Sequence, residues 1–331
     1  MSTQHHSAES ILGTVRGFMA ARVILSGAEL DLFSLLEKTA LTAGETAEKI
    51  KAETRGLTIL LDALSALGFL VKKEGRYCTE ASAVPFLSAH GKDSILPMLL
   101  HMGRLWQNWS RLNDIILSHR APDGVETGVL SPDNANAFID AMHMIGAKAA
   151  PEIVTAVAPG TAPRLLDVGG GSGTYTIAFL AVVPEMKATL FDLPRVVEMA
   201  RKRLLAVGLL DRVTLAAGDY NQDEFPPGHD LALLSAIIHQ NSPEQNLALY
   251  RRIFRALEAG GRIVIRDYVM SADRTMPPEG ALFAVNMLTS TEGGNSYTFA
   301  EIRAGLAAAG FKKIRLIRER EMSSLVEGFK P

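Results

Sequence analysis

The chain has 331 residues, of which 47% are hydrophobic and 21% charged, and its formal net charge is −2. At about 150 residues per domain this length predicts two domains, and the balanced charge excludes a global field that would recruit nucleic acid or an anionic membrane. The polar first ten residues and the lack of a long apolar run predict neither a signal peptide nor a membrane span. One cysteine, Cys78, excludes an internal disulfide. We therefore expect a cytoplasmic enzyme.

Residues 8–160 have the apolar spacing of consecutive helices. Thr42, followed three residues later by Glu45, has the pattern of a helix-starting capping box. The segment FLVKKEGRYC, with Gly75 at its tip, predicts a small hairpin. Three helices followed by a hairpin form the outline of a winged helix.

The charges of this region argue against DNA binding. Residues 1–100 hold ten Lys or Arg and eleven Asp or Glu, and the helix at 56–67, which would read the DNA, has no basic residue. A DNA reader needs several basic side chains for phosphate contacts. We therefore interpret residues 1–100 as a winged-helix-like dimerisation domain and residues 101–160 as a helical linker.

From Pro163 onward, short β-rich runs alternate with helical segments. Five strands are predicted in this order: RLLDVG, ATLFD, VTLAAGD, DLALLSAI and RIVIRDYV. The tail adds two more, KKIRLIRERE and SSLVEGFK. Strand–helix alternation predicts a parallel sheet with helices on both faces. The fold class predicted for residues 161–331 is thus α/β, with a doubly wound, Rossmann-like sheet of seven strands.

The first strand leads into DVGGGSGT, residues 167–174, and then into a helix. Glycines at this position let the main chain approach a ligand at the carboxyl ends of the strands. The next strand ends in Asp192, where a carboxylate typically binds the two hydroxyls of a ribose. The sequence therefore predicts a nucleoside site.

Three features argue against a dinucleotide. The spacing GxGxG lacks the third glycine of that fingerprint, since position 174 is Thr, and Asp167 would repel a pyrophosphate. Asp219 and Tyr220 after the third strand suit an adenine amino group and ring. A cationic nucleoside without phosphates, S-adenosylmethionine, fits these acids. The predicted cofactor-binding residues are Asp167, Gly169, Gly171, Gly173, Asp192, Leu193, Gly218, Asp219, Tyr220 and Ser235.

Longer segments carry a family resemblance: DVGGGSGT, FDLP, AGDY, IIHQNSPEQ, EAGGRIVIRD and EGGNSYTFAEIRAGLAAAGF. With these, the chain resembles the class I S-adenosylmethionine-dependent O-methyltransferases of the caffeate and acetylserotonin type. The resemblance implies methyl transfer to a small-molecule hydroxyl, a homodimer formed through the N-terminal half, and no catalytic metal. Ser235 stands where the family often has a lysine beside the adenine.

His239 directly follows the fourth strand, and the resemblance implies that it is the general base. The family motif continues with Asp and Trp, whereas this chain has Gln240 and Asn241. The family orients its base with two glutamates. Asn295 and Ser296 stand in one of these regions, so we expect Glu327 in the final strand to orient the base, with Glu292 as the second candidate.

The resemblance also implies an acceptor pocket lined by two helices, FIDAMHMIG and ALFAVNML. The candidate pocket residues are Trp106, Phe138, Met142, His143, Gln240, Phe283, Asn286 and Met287, with Trp109 as a further wall residue. Such residues suit a flat, mostly apolar ring with few polar anchors.

Several functions remain compatible with the sequence. The first is methylation of a hydroxyl on an aromatic or conjugated small molecule. The second is a related enzyme that methylates carbon or nitrogen or uses the cofactor without methyl transfer, since the fold does not choose the acceptor atom. A winged-helix regulator that senses S-adenosylmethionine is the alternative from a different class.

Overall fold

The computed structural model describes residues 6–118, 132–320 and 324–331, without the side chains of 132–138, 141 and 145. The chain forms two compact units, Met1–Gln107 and Asn108–Pro331. The division into 1–100, 101–160 and 161–331 stays a prediction. Each unit is described below by itself.

The first unit is mainly helical. Its elements are α1 (Ala8–Glu29), α2 (Leu32–Leu35), β1 (Leu41–Thr42), α3 (Ala43–Ile50), α4 (Thr54–Ala66), β2 (Leu70–Lys73), β3 (Arg76–Thr79), α5 (Val84–Leu87) and α6 (Leu96–Trp109), the last of which runs past the unit boundary. The predicted hairpin is β2–β3, and β1 pairs with β3 to complete a three-stranded antiparallel sheet. Thr42 and Glu45 form the expected capping box at the start of α3. The winged-helix assignment itself stays a prediction.

Helix α1 leaves a row of large apolar side chains exposed. Five of these residues are each about half exposed: Ile11, Leu12, Val15, Phe18 and Met19. Among the described residues, α1 is also the one helix long and apolar enough to cross a membrane by length and composition. By contrast, the core of this unit is closed around Phe33, Leu61 and Leu64, which have no exposed surface.

The second unit alternates strands and helices. Its helices are α7 (Leu112–Ser118), α8 (Pro132–Val157), α9 (Thr174–Val182), α10 (Pro194–Ala206), α11 (Pro243–Ala256), α12 (Pro278–Ser290) and α13 (Phe299–Ala308). Its strands are β4 (Arg164–Val168), β5 (Lys187–Asp192), β6 (Val213–Ala217), β7 (His229–Ser235), β8 (Leu257–Asp267), β9 (Val269–Met270), β10 (Tyr297–Thr298), β11 (Lys312–Arg318) and β12 (Ser324–Phe329). Among the described residues of this unit there are also two 3₁₀ turns, Leu210–Arg212 and Ile238–Gln240.

Seven of these strands form one sheet in the order β11-β12-β8-β7-β4-β5-β6. Strands β4 to β8 run parallel, and β12 is antiparallel to both β8 and β11. From β4 the chain builds outward through β5 and β6, and then returns to place β7 on the other side of β4. In such sheets the ligand crevice lies at this switch, outside the carboxyl ends of the strands. The predicted α/β, seven-stranded doubly wound fold is confirmed.

Successive side chains of the central strands point to opposite faces of the sheet and pack into two separate layers of the core. Leu165, Leu231 and Leu233 pack in one layer with residues of α8, α9 and α10. Leu166 and Leu234 pack in the other layer with residues of α11 and α13. All five leucines are fully buried. Since helices cover both faces, the carboxyl-end edge is the part of the sheet left to form a site.

Candidate active site

The loop after β4 has a backbone that only glycine adopts easily. Gly169, Gly171 and Gly173 have φ values of +65°, +57° and +85°, in the left-handed region. A Cβ on Gly169 would also lie 2.5 Å from Cδ1 of Ile237. Gly173 precedes α9 without a side-chain cap, so the loop presents the amino end of that helix. These glycines are needed for the path of the chain beside the crevice.

Asp192, at the end of β5, holds this loop. Its Oδ2 accepts a hydrogen bond from the Gly171 amide at 2.8 Å, and its Oδ1 accepts one from the Leu193 amide at 2.7 Å. Burial raises the pKa of the Asp192 carboxyl, although both amide hydrogen bonds oppose the rise. A carboxylate oxygen accepts more than one hydrogen bond, so the same group has capacity left for a ligand's hydroxyls.

Asp167 lies beneath the loop. It is 1% exposed, and its Oδ2 accepts a hydrogen bond from Oγ1 of Thr176 at 2.6 Å. Burial raises the pKa of the Asp167 carboxyl to about 6, and the charge of Asp192 adds to the rise. Thr176, in the first turn of α9, is a partner of Asp167 that is not among the residues predicted from the sequence.

The loop after β6 carries Asp219 and Tyr220. The Asp219 carboxylate accepts hydrogen bonds from the Asn221 amide at 2.8 Å and from Nε2 of Gln222 at 2.7 Å. Burial raises the pKa of the Tyr220 hydroxyl. Gly218 leaves no room for a side chain, because a Cβ there would lie 2.4 Å from the Phe191 ring. The structure thus brings this loop to the same edge as Asp192.

His239 lies in the 3₁₀ turn that follows β7. The predicted strand DLALLSAI ends early, at Ser235, because Ala236 adopts a left-handed φ of +58°. His239 is 6% exposed, and its Nδ1 lies 2.9 Å from both carboxylate oxygens of Asp267. Asp267 ends the neighbouring parallel strand β8 and is 1% exposed. A buried histidine–carboxylate pair therefore lies at the carboxyl ends of two adjacent strands.

Glu327 does not contact His239, which corrects the expected orienting partner. On β12 it pairs with Val264, whereas Asp267 pairs with Ser324 further along the same two strands. The buried Glu327 carboxylate instead accepts hydrogen bonds from Arg262, at 2.6 Å, and from Arg315.

The second candidate, Glu292, is exposed, and no described hydrogen bond joins it to His239. The loop that carries it does contact the histidine turn. The Asn295 amide donates to the His239 carbonyl at 2.9 Å, and a Cβ on Gly294 would lie 2.4 Å from that oxygen. The paired glycines therefore allow close contact with the main chain of the base.

Three of the candidate pocket residues lie on α12. The Phe283 ring meets the His239 ring edge to face, with centroids 4.7 Å apart. Asn286 accepts a hydrogen bond from Nε1 of Trp109 at 3.0 Å, and Met287 is buried. Phe283 is thus a candidate whose ring directly contacts the ring of the histidine.

The other candidates have different surroundings. Gln240 is exposed, and its side-chain amide donates to the Ala236 carbonyl at 3.2 Å. Nδ1 of His143 lies 2.6 Å from Oγ1 of Thr174, at the start of α9. Burial lowers the pKa of His143. Met142 is half-buried. Ser235, predicted to lie beside the adenine, accepts a hydrogen bond on its Oγ from Arg266 at 3.3 Å. The Phe138 side chain lies outside the described residues, and Trp106 belongs to the first unit.

No cluster of three or more His, Cys, Asp or Glu that could hold a metal ion occurs among the residues that the structure describes. The strand edge brings together four elements: a glycine loop, a carboxylate that accepts main-chain hydrogen bonds, a buried histidine–carboxylate pair and an aromatic ring against that histidine.

Comparisons with known proteins agree with this geometry. The family model of the O-methyltransferase domain matches residues 118–312, and that of the O-methyltransferase dimerisation domain matches residues 12–89. The chain is 30% identical to 3-hydroxy-5-methyl-1-naphthoate 3-O-methyltransferase of Streptomyces sahachiroi, over 91% of this chain and 89% of the relative. It is 27% identical to acetylserotonin O-methyltransferase of Gallus gallus, over 95% of each protein.

A solved structure of PigF with SAH has the same fold. Its TM-score is 0.86, its sequence identity is 26%, and the match covers 98% of this chain and 100% of that one. The family models and the relatives together span nearly the whole length of the sequence. The chain belongs to the S-adenosylmethionine-dependent O-methyltransferases that act on small molecules.

Proposed function

We propose that this enzyme transfers a methyl group from S-adenosylmethionine to a hydroxyl of an aromatic or conjugated small molecule, with His239 as the general base. The observation that carries the proposal is the His239–Asp267 pair, buried at the same strand edge as the glycine loop and 2.9 Å apart. A buried imidazole with a carboxylate on one nitrogen is equipped to take a proton on the other.

The residues present fit the cofactor. The glycine loop forms a cradle in which a Cβ at Gly169 would meet Ile237. Asp192 would bind the ribose hydroxyls with the acceptor capacity that its two main-chain hydrogen bonds leave free. Asp219 and Tyr220 would flank the adenine, and the buried acid Asp167 suits a positively charged ligand. When bound, S-adenosylmethionine supplies a methyl group on a sulfonium.

His239 would act on the acceptor's proton. The carboxylate of Asp267 accepts a hydrogen bond from Nδ1–H, which leaves the lone pair on Nε2 free. A phenol has a pKa near 10 and so keeps its proton at neutral pH, but its acidity rises as the oxygen attacks, and a hydroxyl held against Nε2 would pass its proton to the imidazole as the new C–O bond forms. The Asp267 charge then stabilises the imidazolium that forms. Correct orientation of the acceptor supplies a large further share of the rate.

The acceptor would lie against α12. The Phe283 ring, which is in edge-to-face contact with His239, offers a flat apolar surface beside the base. Asn286, held by Trp109, lies on the same helix and offers a polar anchor. A ring with one or two hydroxyls matches such a wall better than a charged, flexible substrate does.

The N-terminal unit would form a homodimer. The apolar row on α1, including Leu12, Val15 and Phe18, is about half exposed in the single chain, and the dimerisation-domain match covers residues 12–89. A second copy would remove this surface from water. Light scattering should then give twice the chain mass of 35.7 kDa. We expect a cytoplasmic enzyme.

Calorimetric binding of S-adenosylhomocysteine, followed by a methyl-transfer screen over phenols, tests the proposal. We expect binding and turnover on at least one phenol, with turnover lost in His239→Ala. Binding without turnover of any phenol would move the assignment to a carbon- or nitrogen-directed or a non-methylating enzyme. Absence of binding would overturn the cofactor site.

A further inference from the structure

Three asparagine side chains form a hydrogen-bonded chain beside the base. Nδ2 of Asn221 donates to Oδ1 of Asn241 at 3.2 Å, and Nδ2 of Asn241 donates to Oδ1 of Asn246 at 3.2 Å. Nδ2 of Asn246 then donates to the Ile238 carbonyl at 2.9 Å. Asn241 and Asn246 are 2% and 4% exposed. We call these three residues the asparagine chain.

The asparagine chain connects two parts of the strand edge that are distant in sequence. Asn221 directly follows Tyr220, and its main-chain amide donates to the Asp219 carboxylate. At the other end, Ile238 immediately precedes His239. The loop assigned to the adenine and the turn that carries the base are therefore joined by consecutive hydrogen bonds.

Further hydrogen bonds hold the main chain around Asn241, the middle member of the asparagine chain. The Tyr297 hydroxyl donates to the Asn241 carbonyl, and the Asn241 amide donates to the Ile238 carbonyl at 3.3 Å. The Asn295 amide donates to the His239 carbonyl. The main-chain carbonyls of Ile238, His239 and Asn241 therefore all accept hydrogen bonds, which restrict the turn.

Burying amides here is costly unless they are hydrogen-bonded. The side chains of Asn241 and Asn246 are buried, and Oδ1 of Asn221 has no partner among the described residues. Asn241 and Asn246 each have both the amide nitrogen and the amide oxygen hydrogen-bonded, and buried side chains satisfied in this way fix one arrangement of the groups that they join.

We propose that the asparagine chain couples occupation of the nucleoside loop to the placement of His239. Its three members are positioning residues: a nucleoside that orders the loop at Asp219 and Tyr220 would, through Asn221 and Asn241, also order the turn at Ile238–Gln240. This inference rests on the proposed cofactor site.

Hydrogen exchange followed by mass spectrometry tests the coupling on the full-length protein with S-adenosylhomocysteine as the probe. In the wild type we expect the ligand to slow hydrogen exchange in the peptide over residues 167–174. We also expect it to slow exchange in the peptide over residues 236–242, by about fivefold or more. In Asn241→Leu the first effect should remain, while the second falls below about twofold. Asn221→Ala should give the same result. Because Asn221 is at the less buried end of the asparagine chain, this variant tests the coupling even if Asn241→Leu does not fold.

Arg251→Ala is the matched control, since Arg251 is exposed on α11, the helix of Asn246. It should keep both effects. Two results would overturn the coupling. In the first, the ligand still slows exchange at residues 236–242 in both asparagine variants. In the second, it protects residues 167–174 of the wild type but does not slow exchange at residues 236–242. Absence of protection at residues 167–174 in the wild type would instead remove the cofactor site, and the coupling with it.

Discussion

The two sides of the strand edge are built by different means. On the glycine-loop side, at the ends of β4, β5 and β6, the shape comes from glycine backbones and from carboxylates that accept main-chain hydrogen bonds, as Asp192 does from Gly171 and Leu193. On the histidine side, at the ends of β7 and β8, it comes from side chains that meet across strands, as His239 and Asp267 do. The first side depends on local conformation and the second on tertiary pairing.

Because the two sides are built differently, we expect substitutions to have different effects on them. Glycine permits the positive φ values of the loop but does not impose them, so the shape of the loop also depends on main-chain hydrogen bonds such as the one from Gly171 to Asp192. The histidine pair exists only if two strands keep their register, since a shift by one residue turns every side chain to the other face. Substitutions on the histidine side should therefore affect catalysis, and those on the glycine-loop side should affect binding.

The largest expected effect is that of His239→Gln. Loss of the general base should lower kcat by about 10²–10⁴-fold. Binding of S-adenosylhomocysteine should change by less than about threefold, because the substitution leaves the glycine loop intact. Single-turnover kinetics and calorimetry on the same preparation measure the two quantities. A variant that keeps more than half of the wild-type kcat would show that His239 is not the base.

A smaller loss, about 10²-fold in kcat, is expected for Asp267→Asn. An asparagine can donate to Nδ1, which would place the histidine proton on Nε2 and block proton uptake from the acceptor. Glu327→Gln is the matched control: it also alters a buried acid, on the adjacent strand β12, but one that binds Arg262 and Arg315.

Glu327→Gln should leave kcat within about twofold and lower the free energy of unfolding by about 1–3 kcal/mol, as expected for a buried group that loses a charged partner. Chemical denaturation and steady-state rates separate the two variants. Equal losses of kcat in both would restore Glu327 as a residue that acts on the base.

The sequence predicted more of the glycine-loop side than of the histidine side. DVGGGSGT and the residue after each strand are contiguous signals, and the structure brings Asp192 and Asp219 to the edge where parallel strands end. The family resemblance implies Glu327, with Glu292 as the second candidate, as the partner of His239, although Asp267 lies within the predicted strand RIVIRDYV. Placing β8 beside β7 would have selected Asp267, but strand order is a property of the tertiary fold, and so are the contacts between Asn221, Asn241 and Asn246.

On the glycine-loop side, Asp192→Asn should weaken binding of S-adenosylhomocysteine by about 10–50-fold, in the range for hydrogen bonds to a charged group. Loss of the carboxylate also weakens the bond to the Gly171 amide, so the loop is less well ordered before binding. The kcat at saturating cofactor should fall by less than about threefold, because the base is untouched. Calorimetry measures the affinity, and a kcat that falls in parallel with it would show that the two sides are not separable.

Asp167→Asn should have the smallest effect on activity and a distinct effect on stability. Burial raises the pKa of Asp167 in the folded chain to about 6 from its ordinary value of 3.8, so between these pH values the folded chain retains a proton that the unfolded chain has released. This contribution to stability is fully present below pH 3.8 and is lost as the pH rises through 6, by about 3 kcal/mol in total. The variant is neutral at every pH and keeps an oxygen that accepts from Thr176.

The variant should therefore gain stability relative to the wild type as the pH rises from about 4 to 6, and the difference should be constant above that range. Urea unfolding at half-unit pH steps, monitored in the second unit by the fluorescence of Trp109 in a Trp106→Phe background, measures the difference. A pH-independent difference would mean that Asp167 is ionised throughout. The glycine loop would then hold a buried charge even without ligand, and the affinity for a cation would not fall in acid.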